Sequence, residues 1–110
     1  FRAAGYRVLA TDGVARDCAC DAFLPLDLAC LADDAAAGEA FAAAVRAALD
    51  GAVLRALVNN AAVQTLGGVG ETSPAAFRHS LDVNVIAPYA LSHLLYDELV
   101  AARGVVLNIG

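Results

Sequence analysis

Four short apolar runs along the chain predict four β-strands. They are residues 6–11, 22–26, 54–58 and 105–109. Near-continuous hydrophobicity from Leu54 to Val58 is typical of a strand that helices cover on both faces. Pro25 stands inside the second run, and because proline cannot donate to a ladder, that run is predicted to be an edge strand.

Two longer stretches with helical spacing separate these runs. The first extends from Ala32 to Leu49, where Phe41 and Val45 lie on one face that can pack against a sheet. Thr72-Ser73-Pro74 is predicted to start a helix, with proline at the first helical position. The second stretch extends from near Leu81 to Ala102 and is apolar almost all round. One of its faces is therefore expected to pack on the sheet and another on a partner subunit. A β-α-β-α-β series with short connections predicts an α/β fold with a doubly wound parallel sheet of Rossmann type.

The composition narrows the class of protein. Hydrophobic residues make up 60% of the 110 residues and the mean hydropathy is +0.63, which argues against a disordered chain. The longest apolar run is far too short to span a bilayer, so no membrane partner is expected. A net charge of −5 with seven scattered arginines argues against nucleic acid as a partner.

The cysteines and histidines do not predict a metal site. Cys18, Cys20 and Cys30 form no Cys-x-x-Cys pair, and neither His79 nor His93 lies near them in sequence. Reduced, structural thiols are expected, and with them a cytoplasmic protein. The chain begins at Phe1 without an initiator methionine or a signal-like apolar stretch, so we expect a piece of a longer protein.

Polar residues follow the third apolar run directly. Asn59 and Asn60 come after Val58, and the small residues Ala61 and Ala62 follow them. In open α/β sheets, ligands bind just beyond the carboxyl ends of the strands, so this position is a candidate ligand site. An asparagine-rich turn with no ligand is the alternative.

Four segments together resemble the short-chain dehydrogenase/reductase family. They are Asp27-Leu28, Asn59-Asn60-Ala61-Ala62, Asp82-Val83-Asn84-Val85 and Val106-Leu107-Asn108-Ile109. In the order given they are similar to the family's adenine-contacting pair, its Asn-Asn-Ala-Gly motif, its helix with an active-site asparagine, and the strand before its catalytic serine. The family's glycine-rich turn and its Tyr-x-x-x-Lys pair are absent. The resemblance therefore implies that residues 1–110 are the central part of a single dinucleotide-binding domain.

The family's strand order adds an expectation about the sheet. It places the strand of the missing glycine turn between the strands predicted at residues 6–11 and 54–58. A gap should therefore interrupt the sheet, with two interior edges left unpaired.

The resemblance also implies roles for residues at the adenosine side. Asp12 ends the first predicted strand, where a carboxylate accepts from both ribose hydroxyls and repels a 2′-phosphate, so NAD is expected rather than NADP. Arg16 nearby could soften that exclusion. Asp27 and Leu28 would lie beside the adenine. The alternatives are an Asp-Gly turn for Asp12 and a helix cap for Asp27.

On the nicotinamide side, Asn59, Asn60 and Ala61 would line the cofactor cleft and Asn84 would be catalytic. Asparagine has a low helix propensity, so its position inside a helix favours a functional role for Asn84. The alternative is that Asn84 is a solvated residue on the helix surface. Pro88 follows Asn84 by four residues. Because proline has no N–H, it cannot donate to the Asn84 carbonyl, so a kink and a free Asn84 carbonyl are expected there. In the family, such a carbonyl holds a water of the proton relay.

The resemblance implies an oxidoreductase that moves hydride between NAD and a small carbonyl or alcohol substrate. It also implies a homodimer or homotetramer formed through the helix from Leu81 to Ala102. A non-catalytic dinucleotide-binding or sensor domain with the same fold is the first alternative. A flavodoxin-like regulatory domain is the second, and it would not explain Asn-Asn-Ala together with Asn84.

Overall fold

The computed structural model describes all residues 1–110. It contains four strands and four α-helices, together with two 3-10 helices and one π-helical segment. In chain order the regular elements are β1 (Leu9–Ala10), β2 (Ala22–Phe23), α1 (Ala35–Leu49), β3 (Ala56–Asn59), α2 (Pro74–Leu81), α3 (Ala87–Leu94), α4 (Tyr96–Ala102) and β4 (Val105–Asn108). The 3-10 helices are Arg2–Ala4 and Leu28–Ala32, and the π-helical segment is Asp82–Ile86. The fold is a partial α/β fold with parallel strand pairs.

The four strands form two separate parallel sheets of two strands each. β1 pairs with β2, where Leu9 is opposite Ala22. β3 pairs with β4, where Ala56 is opposite Val105 and Asn59 is opposite Asn108. The sheet is thus divided between β1 and β3, as the family's strand order led us to expect.

Backbone groups on both sides of this division face the space between the sheets. The carbonyls of Val8, Ala10 and Asp12 accept from the β2 side, at 2.7, 2.8 and 3.1 Å. Because successive residues of a strand point to opposite edges, the backbone groups of Leu9 and Thr11 face away from β2. A cavity of about 680 Å³ lies there, and we call it the slot. Residues of β1 line one side of the slot and residues of β3 the other.

The hydrophobic core is small and lies under one face of the sheets. Only 11 of the 110 residues are buried, so much of the apolar surface that the sequence supplies stays exposed. The core packs α1 against α3 and α4, and its members are Leu26, Phe41, Ala42, Val45, Leu91, Leu95 and Leu99. β4 is exposed along its whole length. The strand predicted as buried on both faces, now β3, is only half-buried at most of its positions.

The observed strands are shorter than predicted. β1 keeps two residues of the predicted 6–11, and β2 keeps two of the predicted 22–26. β1 has a partner on one edge only, which limits the length over which its ladder can form. Pro25 lies past the end of β2, and β2 is an edge strand as predicted.

The helix boundaries also differ from the prediction. α1 begins at Ala35 rather than Ala32, because residues 28–32 form a 3-10 helix and Asp34 caps α1 by accepting from the Ala37 N–H. The helix start predicted at Thr72-Ser73-Pro74 is confirmed, because α2 begins at Pro74 with Ser73 as its cap. The helical region predicted from near Leu81 continues directly from α2.

The second helical region is interrupted twice. Its turns widen into the π-helical segment at residues 82–86, where the Ala87 N–H donates to the Asp82 carbonyl five residues back. It breaks again at Leu95, whose φ of −105° and ψ of 16° lie outside the helical range. The π-helical segment ends just before Pro88, where a kink was expected, and π-bulges are a recognised cause of helix bending.

The cysteines differ from the prediction as well. Cys18 and Cys20 form a disulfide in the loop between β1 and β2, whereas the sequence led us to expect reduced thiols. Cys30 is a free, exposed thiol. Spacing rules missed this pair because they are built on Cys-x-x-Cys and on longer loops.

Candidate dinucleotide site

The slot brings together most of the residues that the sequence singled out. Asp12 and Leu28 line its adenosine-side wall, and Asn59, Asn60 and Ala61 line the wall at the end of β3. The residues that follow the carboxyl ends of β1 and β3 thus line the same cavity. Asp27 and Asn84 are not part of the lining.

Asp12 is held by neighbours from its own loop. One carboxylate oxygen accepts from the Val14 N–H at 3.3 Å, and the other accepts from Arg16 Nε at 2.6 Å. These two bonds, the Val14 N–H first and the Arg16 guanidinium second, lower the pKa of Asp12. The side chain is therefore an anion at neutral pH. The geometry realises the turn that was the alternative for Asp12, and it leaves the carboxylate 40% exposed at the mouth of the slot.

Asp27 acts as a cap on the 3-10 helix that follows β2. Its Oδ1 accepts from the Ala29 N–H at 3.0 Å, which is the arrangement that its alternative interpretation described. The next residue, Leu28, turns toward the slot and packs against the core. The two residues of the expected adenine-contacting pair therefore point to different surroundings.

The amide of Asn59 joins the two strands of its sheet. Its Nδ2 donates to Asn108 Oδ1 at 2.8 Å, and the Ile109 N–H donates to the Asn59 carbonyl at 3.0 Å. This pair fixes the ends of β3 and β4 side by side. In the sequence, Asn108 is visible only as part of a strand motif, although the matching position of two asparagines at strand ends could have suggested the contact.

Asn84 makes a reciprocal pair of hydrogen bonds with the backbone of Val63. The Val63 N–H donates to Asn84 Oδ1, Asn84 Nδ2 donates to the Val63 carbonyl, and both distances are 2.8 Å. The side chain thus fixes the segment that leaves β3 against the π-helical segment. Sequence reasoning missed Val63 because a contact made through the backbone leaves no trace in residue type.

The histidines and other candidate groups add little to the site. His93 stacks on Tyr89 with ring planes 10° apart, and its ring centroid lies 6.4 Å away. No group of three or more His, Cys, Asp or Glu side chains is placed to hold a metal ion. None of the helices has both the length and the apolar character that crossing a membrane requires.

Comparison with known proteins places the chain in a family. The family model described as short chain dehydrogenase matches residues 3–110. A crystal structure of a short-chain dehydrogenase/reductase family oxidoreductase from Brucella ovis, in complex with a partially ordered NAD, is 32% identical with a TM-score of 0.76. The match covers 96% of this chain and 52% of that one. The chain belongs to the short-chain dehydrogenase/reductase family.

Two further similarities show how the family members vary. A metagenomic short-chain oxidoreductase in complex with NADP is 31% identical with a TM-score of 0.74, covering 94% of this chain and 50% of that one. Protein FixR of Bradyrhizobium diazoefficiens is 38% identical over 71 residues, which are 59% of this chain and 26% of FixR. The chain therefore spans about half the length of the solved structures and about a quarter of FixR.

Proposed function

We propose that residues 1–110 are the central part of a nicotinamide-dependent oxidoreductase that transfers hydride between NAD and a small carbonyl or alcohol substrate. We call the longer protein that this proposal implies the complete enzyme. One observation carries the proposal: an anionic Asp12 follows β1, and Asn59 to Ala61 stand at and after the end of β3, on the two sides of the slot. The missing strand would fill the slot in the complete enzyme, so the cofactor would lie beyond the slot, across the carboxyl ends of the strands. That is where open α/β sheets bind dinucleotides.

The residues around the slot fit the two ends of such a cofactor. A carboxylate at the mouth, as Asp12 supplies, can accept hydrogen bonds from ribose hydroxyls. Ala61 is small and exposed where it lines the slot, so a ligand can approach the backbone closely there. When bound, the nicotinamide accepts or donates the hydride.

NAD is proposed over NADP because of the charge on Asp12. An anionic carboxylate at the ribose repels a 2′-phosphate, whereas Arg16 would attract one. Arg16 donates through Nε to Asp12 and is 67% exposed, so its other guanidinium nitrogens can still reach a phosphate. One similar structure contains NAD and another contains NADP. This agrees with a site in which small changes of charge alter the preference between the two cofactors.

We propose that Asn84 is a positioning residue, which serves the reaction by holding a neighbouring segment in place. Its side chain is occupied by Val63, so it holds the β3 exit segment in place beside the π-helical segment. π-Helical segments frequently occur at functional sites because they alter which carbonyls are bonded within the helix. We propose that the Asn84 carbonyl there holds a water of a proton relay, which keeps the role expected from the sequence.

Self-association is proposed through the second helical region. Its outer face carries large apolar side chains at spacings of four and seven, all of them between 43% and 74% exposed. They are Phe77, Leu81, Val85, Tyr89, Tyr96 and Val100. A stripe of this kind suits a symmetric contact with a second copy, and a homodimer or homotetramer is the proposed assembly. The proposed compartment is the cytoplasm, because the chain is not rich in cysteines as disulfide-stapled secreted domains are.

A non-catalytic dinucleotide-binding or sensor domain is the competing function. Both proposals expect NAD to bind, so binding alone does not separate them. The test is single-turnover hydride transfer by the complete enzyme, followed by NADH absorbance with a panel of small aldehydes, ketones and alcohols. Turnover with any member supports the oxidoreductase. Tight NAD binding with no hydride transfer across the panel would favour the sensor.

A further inference from the structure

The loop from Asp12 to Asp21 carries a disulfide that the proposed dinucleotide site does not use. Cys18 and Cys20 are separated by Ala19 alone, and their Cα atoms are 5.4 Å apart, which is within the usual range for a bridged pair. Cys18 is exposed and Cys20 is half-buried. A thiolate in solution can therefore reach the bond from the side of Cys18.

Both ends of this loop are anchored by charged side chains. At its start Asp12 binds Arg16, and at its end Asp21 accepts from the Val8 N–H at 2.7 Å. Arg2 adds an ion pair to Asp21 at 3.5 Å. Between the anchors the disulfide closes the chain, so the bond shapes the segment that links Arg16 to β2.

The bridge has little to do with holding the fold together. A disulfide stabilises chiefly through loop closure in the unfolded chain, and that contribution falls as the enclosed loop shortens. The loop that this disulfide closes contains only Ala19 between the two cysteines, so its contribution to stability through loop closure is small.

We propose that Cys18 and Cys20 form a reversible thiol–disulfide exchange site whose substrates are dithiols, and that its redox state tunes how the loop presents Asp12 and Arg16 to the adenosine ribose. The second part rests on the proposed function, whereas the first does not. In the exchange, one thiolate of the dithiol attacks a sulfur of the pair and the S–S bond breaks, which gives a mixed disulfide and a cysteine thiolate. The second thiol of the reductant then displaces the other cysteine. Two electrons pass to the pair, two protons end on its thiols, and the dithiol leaves as a cyclic disulfide.

Cys30 supplies an internal control in the same chain. It is exposed and unbridged on the 3-10 helix after β2. Desolvation, followed by the nearby Asp27 carboxylate, raises the pKa of the Cys30 thiol, so its thiolate fraction at neutral pH is reduced. It lies 10 residues beyond Cys20 in sequence and forms no disulfide.

The first experiment follows the chemistry itself. The complete enzyme is equilibrated with defined ratios of reduced to oxidised dithiothreitol, quenched in acid, alkylated, and digested for mass spectrometry. We expect Cys18 and Cys20 to become labelled together in one two-electron transition, while Cys30 is labelled at every ratio. Labelling of Cys18 and Cys20 even in fully oxidised buffer, or labelling of one without the other, would overturn the exchange site.

The second experiment tests the coupling to the cofactor site. NAD affinity is measured by calorimetry for the oxidised and reduced protein, for the double variant Cys18→Ser with Cys20→Ser, and for Cys30→Ser as a matched control. We expect a several-fold change in Kd between redox states, lost in the double variant and kept in Cys30→Ser. Equal Kd in both states overturns the coupling alone. Absence of NAD binding in either state counts against the proposed function and leaves the alkylation result standing.

Discussion

The two half-sheets of this protein are built in different ways. β1 and β2 pair over two residues each, and the ends of their connecting loop are fixed by exposed ion pairs and by a disulfide. β3 and β4 pair over four residues each, and the Asn59–Asn108 amide bond closes their ends. The β1–β2 half therefore depends on loop side chains, which respond to ionic strength and redox conditions, whereas the β3–β4 half depends on a backbone ladder.

The difference suggests how each side can be tuned. Surface ion pairs contribute little to stability and respond to ionic strength, so changes in the loop from Asp12 to Asp21 can alter cofactor choice without unfolding the protein. The β3 side is joined to the long helical region by the Asn84–Val63 pair. Changes there should move reacting groups rather than alter affinity.

The largest expected effect concerns the slot that separates the two halves. Residues 1–110 expressed alone should not behave as a stable monomer, because the inward edges of β1 and β3 have no strand between them and only 11 residues are buried. Thermal unfolding followed by circular dichroism checks this, with the complete enzyme as control. A cooperative transition from a purified monomer of residues 1–110 would contradict this prediction.

The next largest effect is expected for Asn84→Leu in the complete enzyme. Loss of both hydrogen bonds to Val63 frees the segment that leaves β3, and misplacement of reacting groups by about 1 Å can cost about 10²-fold in rate. NAD affinity should stay nearly unchanged. Single-turnover hydride transfer and NAD titration on the same variant separate the two quantities. A loss of affinity in proportion to the rate would make Asn84 a cofactor contact instead.

Pro88→Ala is the companion to that variant and should act in the same direction but more weakly. Restoring an N–H at position 88 lets the helix bond a carbonyl that proline leaves free, and it can stabilise the helix by up to about 3 kcal/mol. Melting temperature should rise or stay constant while turnover falls. Unchanged turnover with a raised melting temperature would remove the proposed relay carbonyl from the mechanism.

On the adenosine side, Asp12→Ala should shift cofactor choice. Removal of the carboxylate removes the repulsion of a 2′-phosphate and releases Arg16 to bind it, so the ratio of kcat/KM values should move toward NADP by about one to two powers of ten. Steady-state kinetics with both cofactors measures the ratio. Arg16→Ala is the matched control and should move the ratio the other way. An unchanged ratio in both variants would reduce Asp12 and Arg16 to a surface turn.

A smaller, purely structural effect is expected at Gly104, between α4 and β4, where the chain passes close to the residues just before β3. A methyl group on Gly104 would lie 2.7 Å from the Leu54 carbonyl oxygen and 3.1 Å from that of Arg55. Gly104→Ala should therefore destabilise the complete enzyme by about 1–3 kcal/mol, as overpacking typically does. Gly70→Ala meets nothing within 4 Å and serves as control. Equal midpoints in urea for the two variants would contradict the close approach.

Much of this architecture was readable from residue types. Alternating apolar runs gave the order of elements, and Pro74 with Ser73 marked a helix start that the structure confirms. Family resemblance led us to expect the division of the sheet. Boundaries were less accurate, because strand length depends on partners in space: β1 lost four of its six predicted residues where an edge had no neighbour.

The candidate site was readable in part, and the missing parts share a cause. Asp12, Leu28 and the residues from Asn59 to Ala61 line one slot, and their roles toward a cofactor stay predictions. Asp27 and Asn84 lie outside that lining because each is bonded to backbone groups elsewhere. Contacts of a side chain with backbone, and the Cys18–Cys20 bridge, depend on local geometry that a single sequence does not encode visibly.

The measurement that tests the central claim most directly is hydrogen exchange of the complete enzyme with and without NAD. The claim is that one dinucleotide spans both half-sheets, so NAD should slow exchange of amides at both Asp12 to Val14 and Asn59 to Val63. Core amides of α1 serve as the reference. Slowed exchange at both segments is the expected result. Protection of one segment alone, or of neither at saturating NAD, would contradict a cofactor that lies across the carboxyl ends of both half-sheets.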